Sequence, residues 1–300
     1  MLVFLTGAAG FIGRATIQEL LDHGHQVLGL ARSDASAETI SKLGAQVHRG
    51  SLEDLESLKS GAKQADGAIH LAFIHDFSDY AKAAAVDRAA IEAMGEAMVG
   101  TGKPLVIASG TLVAVKGELA VEDAEPDRGT AFETRQGAAD LVVKLSKEKG
   151  IRGSIVRLPP TVHGKDDGGL IPRFIDISRQ TGSVIILSDG SSRWPAVHRQ
   201  DAAVLFRLAL EKGTPGAYYH AVAEQGVPMK DIAGVVGKKL GMPVESKTAE
   251  EAMGTLGFLA LAFSADNPTS SEKTQRVLGW NPKGSGQPGL LADMEANYFS

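Results

Sequence analysis

Three glycines set the first chemistry. The run Thr6-Gly7-Ala8-Ala9-Gly10-Phe11-Ile12-Gly13 places glycines at 7, 10 and 13, directly after a short apolar stretch and directly before an amphipathic one. Gly7 permits a tight turn, Gly10 lets the backbone approach a diphosphate, and Gly13 allows close helix–sheet packing. The helix start offers N–H groups and the positive end of its dipole to the anion. Gly7, Gly10, Phe11, Ile12 and Gly13 are therefore expected to hold the diphosphate of a dinucleotide. Roughly twenty residues later, where an acidic side chain would hold a ribose 2′-hydroxyl, the sequence reads Leu30-Ala31-Arg32-Ser33. Ala31 accepts no hydrogen bond, whereas Arg32 can fork onto a 2′-phosphate and Ser33 adds a hydroxyl. This favours NADP(H) over NAD(H) as cofactor, with Asp34 close enough to keep NAD open.

Those side chains need a scaffold, and the hydrophobic pattern supplies one. Leu2–Leu5 reads as a strand buried on both faces, Phe11–His23 as an amphipathic helix stopped by Gly24, and Val27–Leu30 as a second strand. The alternation continues with helices at 36–43, 51–59 (opened by Ser51), 80–99 and 135–149, and strands at 46–48, 67–71, 105–108 and 153–158. Such alternation predicts an α/β fold, a Rossmann-type doubly wound parallel sheet with helices on both faces. Beyond Pro159-Pro160 the rhythm breaks, with helices expected at 171–179, 201–211, 229–240 and 249–261 and strands at 184–187 and 217–221. The expected organisation is a cofactor domain over 1–160 and a smaller, interleaved substrate-binding cap over 161–300. Segments around 195–220 would return to the first half.

Composition narrows the function. The 300 residues carry a net charge of -5, and they contain 35 glycines, 4 tyrosines and no cysteine. No concentrated basic surface is encoded, which argues against a nucleic-acid partner. A disulfide scaffold, a thiolate metal site and a thiol nucleophile are excluded. No apolar run approaches the roughly 18 residues of a membrane span, and Met1–Leu5 runs straight into the glycine motif without room for a leader. A cytoplasmic monomer or homodimer acting on a small molecule, with no metal and no membrane partner, is the expectation.

The ordered motifs resemble the short-chain dehydrogenases/reductases, specifically their extended, epimerase/dehydratase-like and atypical branches. The resemblance spans nearly the whole chain: Thr6–Gly13, then Gly50-Ser51-Leu52, His70-Leu71-Ala72, Ser109-Gly110-Thr111, Arg157–Gly164 and the Leu278-Gly279-Trp280 run near the end. It implies that Ser51, Leu52, Leu71, Ala72, Phe73, Ser109 and Pro159 line the cofactor channel, and that Thr111 steadies a substrate carbonyl. Ser51 stands where the family has Asp, and it also suits a helix cap.

The same resemblance exposes a gap. The family's proton donor is a Tyr-x-x-x-Lys on the helix before the sixth strand. Here that helix reads Ala131-Phe132-Glu133-Thr134-Arg135-Gln136, placing either Phe132 and Gln136 or Ala131 and Arg135 at the two positions. All four tyrosines, at 80, 218, 219 and 298, lie elsewhere. Three readings follow. An oxidoreductase would relocate its acid to His75 or His163, with Arg135 polarising the carbonyl. A non-redox isomerase or lyase would use the His75/Asp76 pair as base. A nicotinamide-sensing regulator would keep the glycines without catalysis. Asp76, Tyr80, Arg193, Trp194 and His198 are the candidate substrate contacts, Arg193 and Trp194 suiting an anionic or aromatic ligand.

Overall fold

The computed structural model describes residues 1–74, 79–113, 117–126 and 133–299. The first half contains β1 (Leu2–Thr6), α1 (Phe11–Asp22), β2 (Gln26–Ala31), α2 (Asp34–Lys42), β3 (Gln46–Arg49) and α3 (Leu55–Gln64). It continues through β4 (Gly67–His70), α4 (Tyr80–Ala97), β5 (Pro104–Gly110), α5 (Glu133–Glu148) and β6 (Arg152–Leu158). The second half runs β7 (Thr161–His163), α6 (Leu170–Thr181), β8 (Val184–Leu187), β9 (Arg193–His198), α7 (Arg199–Lys212) and β10 (Tyr218–His220). After these come β11 (Glu224–Pro228), α8 (Met229–Leu240), β12 (Val244–Lys247), α9 (Ala249–Leu256), α10 (Phe258–Phe263), α11 (Glu272–Leu278) and α12 (Leu290–Asn297).

Seven strands form one parallel sheet in the order β10-β6-β5-β4-β1-β2-β3. The order reverses between β1 and β4, so the C-terminal ends of those strands open a crevice, the place where this architecture binds ligands. Val3 and Leu5 pack one sheet face against Ile17 and Leu20 of α1, Ile40 of α2 and Leu205 and Phe206 of α7. Phe4, Ile107 and Ile155 pack the other against Leu58 of α3, Ile91 and Met94 of α4 and Val142 of α5. A strand with both faces covered needs continuous apolar sequence, as Val3-Phe4-Leu5 supplies. A second core gathers Phe174, Trp194, Ile232, Phe263 and Leu290 from α6, β9, α8, α10 and α12. Beside it lie a three-stranded sheet, β11-β9-β7, and a two-stranded one, β12-β8. Among the described residues no helix is long and apolar enough to cross a membrane.

Two elements differ from the sequence reading. The helix expected from Ser51 begins at Leu55, because the Asp54 carboxylate accepts the Ser57 N–H at 3.1 Å and caps it. Ser51 instead closes a turn through the Glu53 N–H, at 3.3 Å. The helix expected over 249–261 is two helices, broken at Gly257, whose φ of 52° and ψ of -126° no helix accommodates.

Candidate cofactor and active site

The glycine turn is built by backbone contact. Gly7 has φ +69° and the Gly10 N–H donates to its carbonyl at 2.9 Å. A Cβ at Gly13 would stand 2.0 Å from the Gly7 oxygen, and one at Gly7 would stand 2.8 Å from the Ala72 nitrogen. The turn is thus seated against the chain leaving β4, with Leu71 packed on the first core and the Ala72 N–H donating to Thr6 Oγ1 at 3.3 Å. α1 starts at Gly10 with no side-chain cap and no acidic residue in its first turn. An uncapped helix start with bare backbone around it suits an anion. Arg199, the first residue of α7, holds its guanidinium 5.1 Å from the Phe11 ring and adds positive charge beside that opening.

The far end of the crevice is basic. Arg32 and Ser33 are exposed just past β2. Ser33 caps α2, its Oγ accepting the Ser36 N–H at 3.2 Å. Asp34, the residue that kept NAD open, is engaged by Arg49 at 2.8 Å. Arg49 ends β3 directly beside Ala31, its register partner at the end of β2. Among the described residues, two arginines therefore stand at these adjacent strand ends and the nearby carboxylate is paired. Leu52 is half-buried against the second face of the sheet, and Pro159 is buried after β6. These features fit a dinucleotide.

On the opposite side of the glycine turn from Arg32 and Arg49, toward β4 and β5, sits a polar cluster contributed by five elements. Thr6 Oγ1 meets His70 Nδ1 at 2.8 Å, and His70 Nε2 meets Asp87 Oδ1 at 3.1 Å. Asp87, 2% exposed on α4, has no hydrogen-bond partner for Oδ2 among the described residues. That oxygen lies 4.0 Å from Nη1 of Arg135. Arg135 donates from Nη2 to the Ala108 carbonyl at 2.9 Å and lies 4.0 Å over the Phe73 ring. Tyr80 packs its ring on Phe73 at 5.8 Å. Gln136, the other residue aligned with the family's lysine, is buried, donating to Asp140 Oδ1 at 2.9 Å and to Tyr218 Oη at 3.0 Å. Of the two, Arg135 is the one that joins the cluster.

Other candidates are placed differently. Thr111 is fully buried, donates its hydroxyl to Asn267 Oδ1 at 2.7 Å and receives Asn267 Nδ2 on its carbonyl at 3.1 Å. The hydroxyl expected to steady a substrate carbonyl is thus engaged by Asn267. Ser109 Oγ, two residues earlier, is buried without a partner among the described residues. His163 is 1% exposed and pairs through Nδ1 with Asp293 at 2.8 Å, facing His198 at 5.4 Å. His198 caps α7 through the Gln200 N–H. Burial, then the neighbouring His163, lowers its pKa to about 4.

Trp194 is fully buried, donates to the Ala262 carbonyl at 3.2 Å and meets Phe263 edge-on at 5.0 Å. Its ring is a core element with no face open to a ligand, which corrects its assignment as a substrate contact. Arg193 is likewise spoken for, forking onto Asp266 with Nε at 3.0 Å and Nη2 at 2.7 Å and holding that carboxylate below its usual range. His75 and Asp76, like Ala131 and Phe132, lie outside the described residues. Among the described residues no cluster of His, Asp or Glu could hold a metal.

A model of the NAD dependent epimerase/dehydratase family matches residues 3–221. The chain belongs to that family. Over 300 residues it is 47% identical to an uncharacterized protein of Schizosaccharomyces pombe, covering 100% of both chains. A 4-hydroxy-2-methyl-3-oxo-4-farnesyl-3,4-dihydroquinoline-1-oxide ketoreductase of Stigmatella aurantiaca is 25% identical over 326 residues, 99% of this chain and 96% of that one. In fold, the chain is similar to the dTDP-glucose 4,6-dehydratase DesIV double mutant of Streptomyces venezuelae, solved with NAD and DAU bound. The TM-score is 0.79 at 18% identity, with 99% of this chain and 96% of that one covered.

For a member of the epimerase/dehydratase family, three residues carry functional promise that sequence reasoning missed. Arg49 stands at the end of β3 beside Ala31, Arg199 stands beside the glycine turn, and Asp87 lies beside Arg135. The first two were legible as cations in the sequence. Their usefulness depends on strand order and on the return of α7, which no local pattern records.

Proposed function

We propose that the protein is an NADP(H)-dependent reductase of a carbonyl, or a related unsaturated bond, in a small organic molecule. The observation that carries the reading is the crevice itself. An uncapped glycine-lined helix start leads to Arg32 and Arg49 at one end, where Asp34 is engaged by Arg49. At the other, a partly buried guanidinium, Arg135, is fixed on Ala108 beside Phe73. When bound, the reduced nicotinamide would supply a hydride to the acceptor carbon.

The chain's own residues do the rest. The backbone of Gly10–Gly13 and Arg199 would receive the diphosphate, and Arg32 with Arg49 the 2′-phosphate. Arg135 uses one donor on Ala108 and keeps others to polarise the acceptor oxygen. A partly buried cation acts on developing oxyanion charge more strongly than one in water. The ketoreductase relative supports the reaction class. We place the activity in the cytoplasm.

Titration of the protein with NADPH and NADH, followed by nicotinamide fluorescence, tests the cofactor assignment. NADPH is expected to bind at least about tenfold tighter, the advantage of a bidentate guanidinium–phosphate contact. Replacing Arg32 and Arg49 together by Ala should abolish that advantage without weakening NADH. Tighter NADH binding by the wild type sinks the assignment. Oxidation of NADPH against a panel of ketones, aldehydes and enones tests the reaction.

A further inference from the structure

We propose that Tyr80, at the mouth of α4, is the site's proton donor, with Arg135 as its charge partner. The inference rests on the reductase reading above. The helix that carries the family's tyrosine has none here, since the chain's tyrosines are at 80, 218, 219 and 298. Tyr80 is the first residue of α4, so it stands at the edge of the sheet where β4 ends and the crevice opens. Asp79 caps that helix by accepting the Lys82 N–H at 3.1 Å, fixing the backbone from which Tyr80 projects.

Position along the helix ties Tyr80 to the polar cluster. Residues 80, 83, 84 and 87 lie on one helix face, and Ala83, Ala84 and Asp87 are buried there. Tyr80 is thus the outermost member of the face that holds Asp87. Its ring meets Phe73 at 5.8 Å, and the Phe73 ring carries the Arg135 guanidinium at 4.0 Å. Arg135 is itself held from behind by Ala108 at 2.9 Å and Asp87 at 4.0 Å. The Asp87 carboxylate is oriented in turn by His70 and Thr6. This buried line positions the cation and leaves the half-buried Tyr80 at its outer end.

The proton accounting closes. As the hydride's electron pair forms the new C–H bond, the carbonyl π pair takes the proton from Tyr80 Oη and becomes the O–H bond. The phenolate that remains lies near the Arg135 charge and recovers a proton from water. Among the described residues, the charged groups acting on Tyr80 are Arg135 from α5 and Asp87 from α4. Burial raises the Tyr80 pKa above its ordinary value, Arg135 opposes the rise and Asp87 adds to it. A phenol so placed is fully protonated at neutral pH, as an acid in the reducing direction must be. The reverse oxidation needs the phenolate, and is expected to climb with pH throughout the alkaline range.

The test compares Tyr80→Phe, Arg135→Lys, Arg135→Gln and His75→Asn with the wild type. Tyr80→Phe is expected to lower single-turnover reduction at pH 7 by about 100-fold or more, the contribution of a positioned acid, with NADPH affinity within about threefold. The second readout needs no turnover. Ultraviolet difference titration near the tyrosinate band, wild type minus Tyr80→Phe, isolates the Tyr80 phenol. Its midpoint should rise further in Arg135→Gln and recover in Arg135→Lys. Reduction by Tyr80→Phe at the wild-type rate, or a loss confined to His75→Asn, overturns Tyr80 as donor. A midpoint indifferent to Arg135→Gln overturns the pairing. If the wild type reduces no acceptor, the reductase reading fails and takes the donor with it, even where the titration shows the pairing intact.

Discussion

His198 and His220 are neutral because they are buried. Burial and the nearby His163 bring His198 to about 4, and burial and Arg157 bring His220 to about 3. In the unfolded chain both would titrate near 6.5. The folded values are the lower ones, so the unfolded state binds protons first as pH falls. The stability these two histidines contribute is complete above about 6.5 and is lost progressively down through about 4 and then 3. Urea unfolding between pH 7 and 5, above the range in which paired carboxylates such as Asp266 contribute, should show this loss, and His220→Gln should flatten it. An unchanged slope would assign the acid sensitivity elsewhere. At this scale the sequence was a partial guide. Arg135, Phe73 and Tyr80 were each visible as useful types, but they come from α5, the chain after β4 and the start of α4, and meet only through the order β5-β4-β1. Trp194 shows the opposite failure: beside Arg193 it looked like a ligand contact, and packing on Phe263 took it into the core.

Local chemistry set the elements wherever one face decided them. The helix over 229–240 and the strand over 184–187 are found at the expected residues, and α1 ends one residue earlier than expected. What escaped was structure that local patterns disfavour. β9 carries Pro195 in the middle strand of its sheet, where proline donates no ladder bond, and β7 is only 3 residues long. α12 starts at Gly289 without a side-chain cap. The α3 boundary turned on a choice between two plausible caps, and the carboxylate of Asp54 prevailed over the hydroxyl of Ser51. Asp54→Ala is therefore expected to cost about 1 kcal/mol, whereas Ser51→Ala should cost only a few tenths. Chemical denaturation of the two variants checks the assignment, and equal effects would refute it.

At the scale of the molecule, the parallel sheet and the second apolar core are linked by β9, which holds Trp194 in that core and leads directly into α7 on the sheet. Trp194→Ala removes the largest side chain of the second core and should destabilise the protein by about 3–5 kcal/mol. The melting temperature would fall by roughly 10 °C, with NADPH affinity preserved in the folded protein. A variant that melts normally but binds ligand poorly would return Trp194 to the site.

The return of the chain to its sheet also has a consequence for how the protein is made. β6 pairs with β10, and from Leu158 to Tyr218 about sixty residues must be synthesised before that partner exists. At roughly 5–20 residues per second, a nascent chain spends several seconds with the β6 edge unpaired and with Leu205 and Phe206 not yet laid over the sheet. An open parallel edge beside uncovered apolar surface invites pairing with another nascent copy. The order of synthesis, rather than the stability of the finished fold, would then govern the yield of native protein on crowded polysomes.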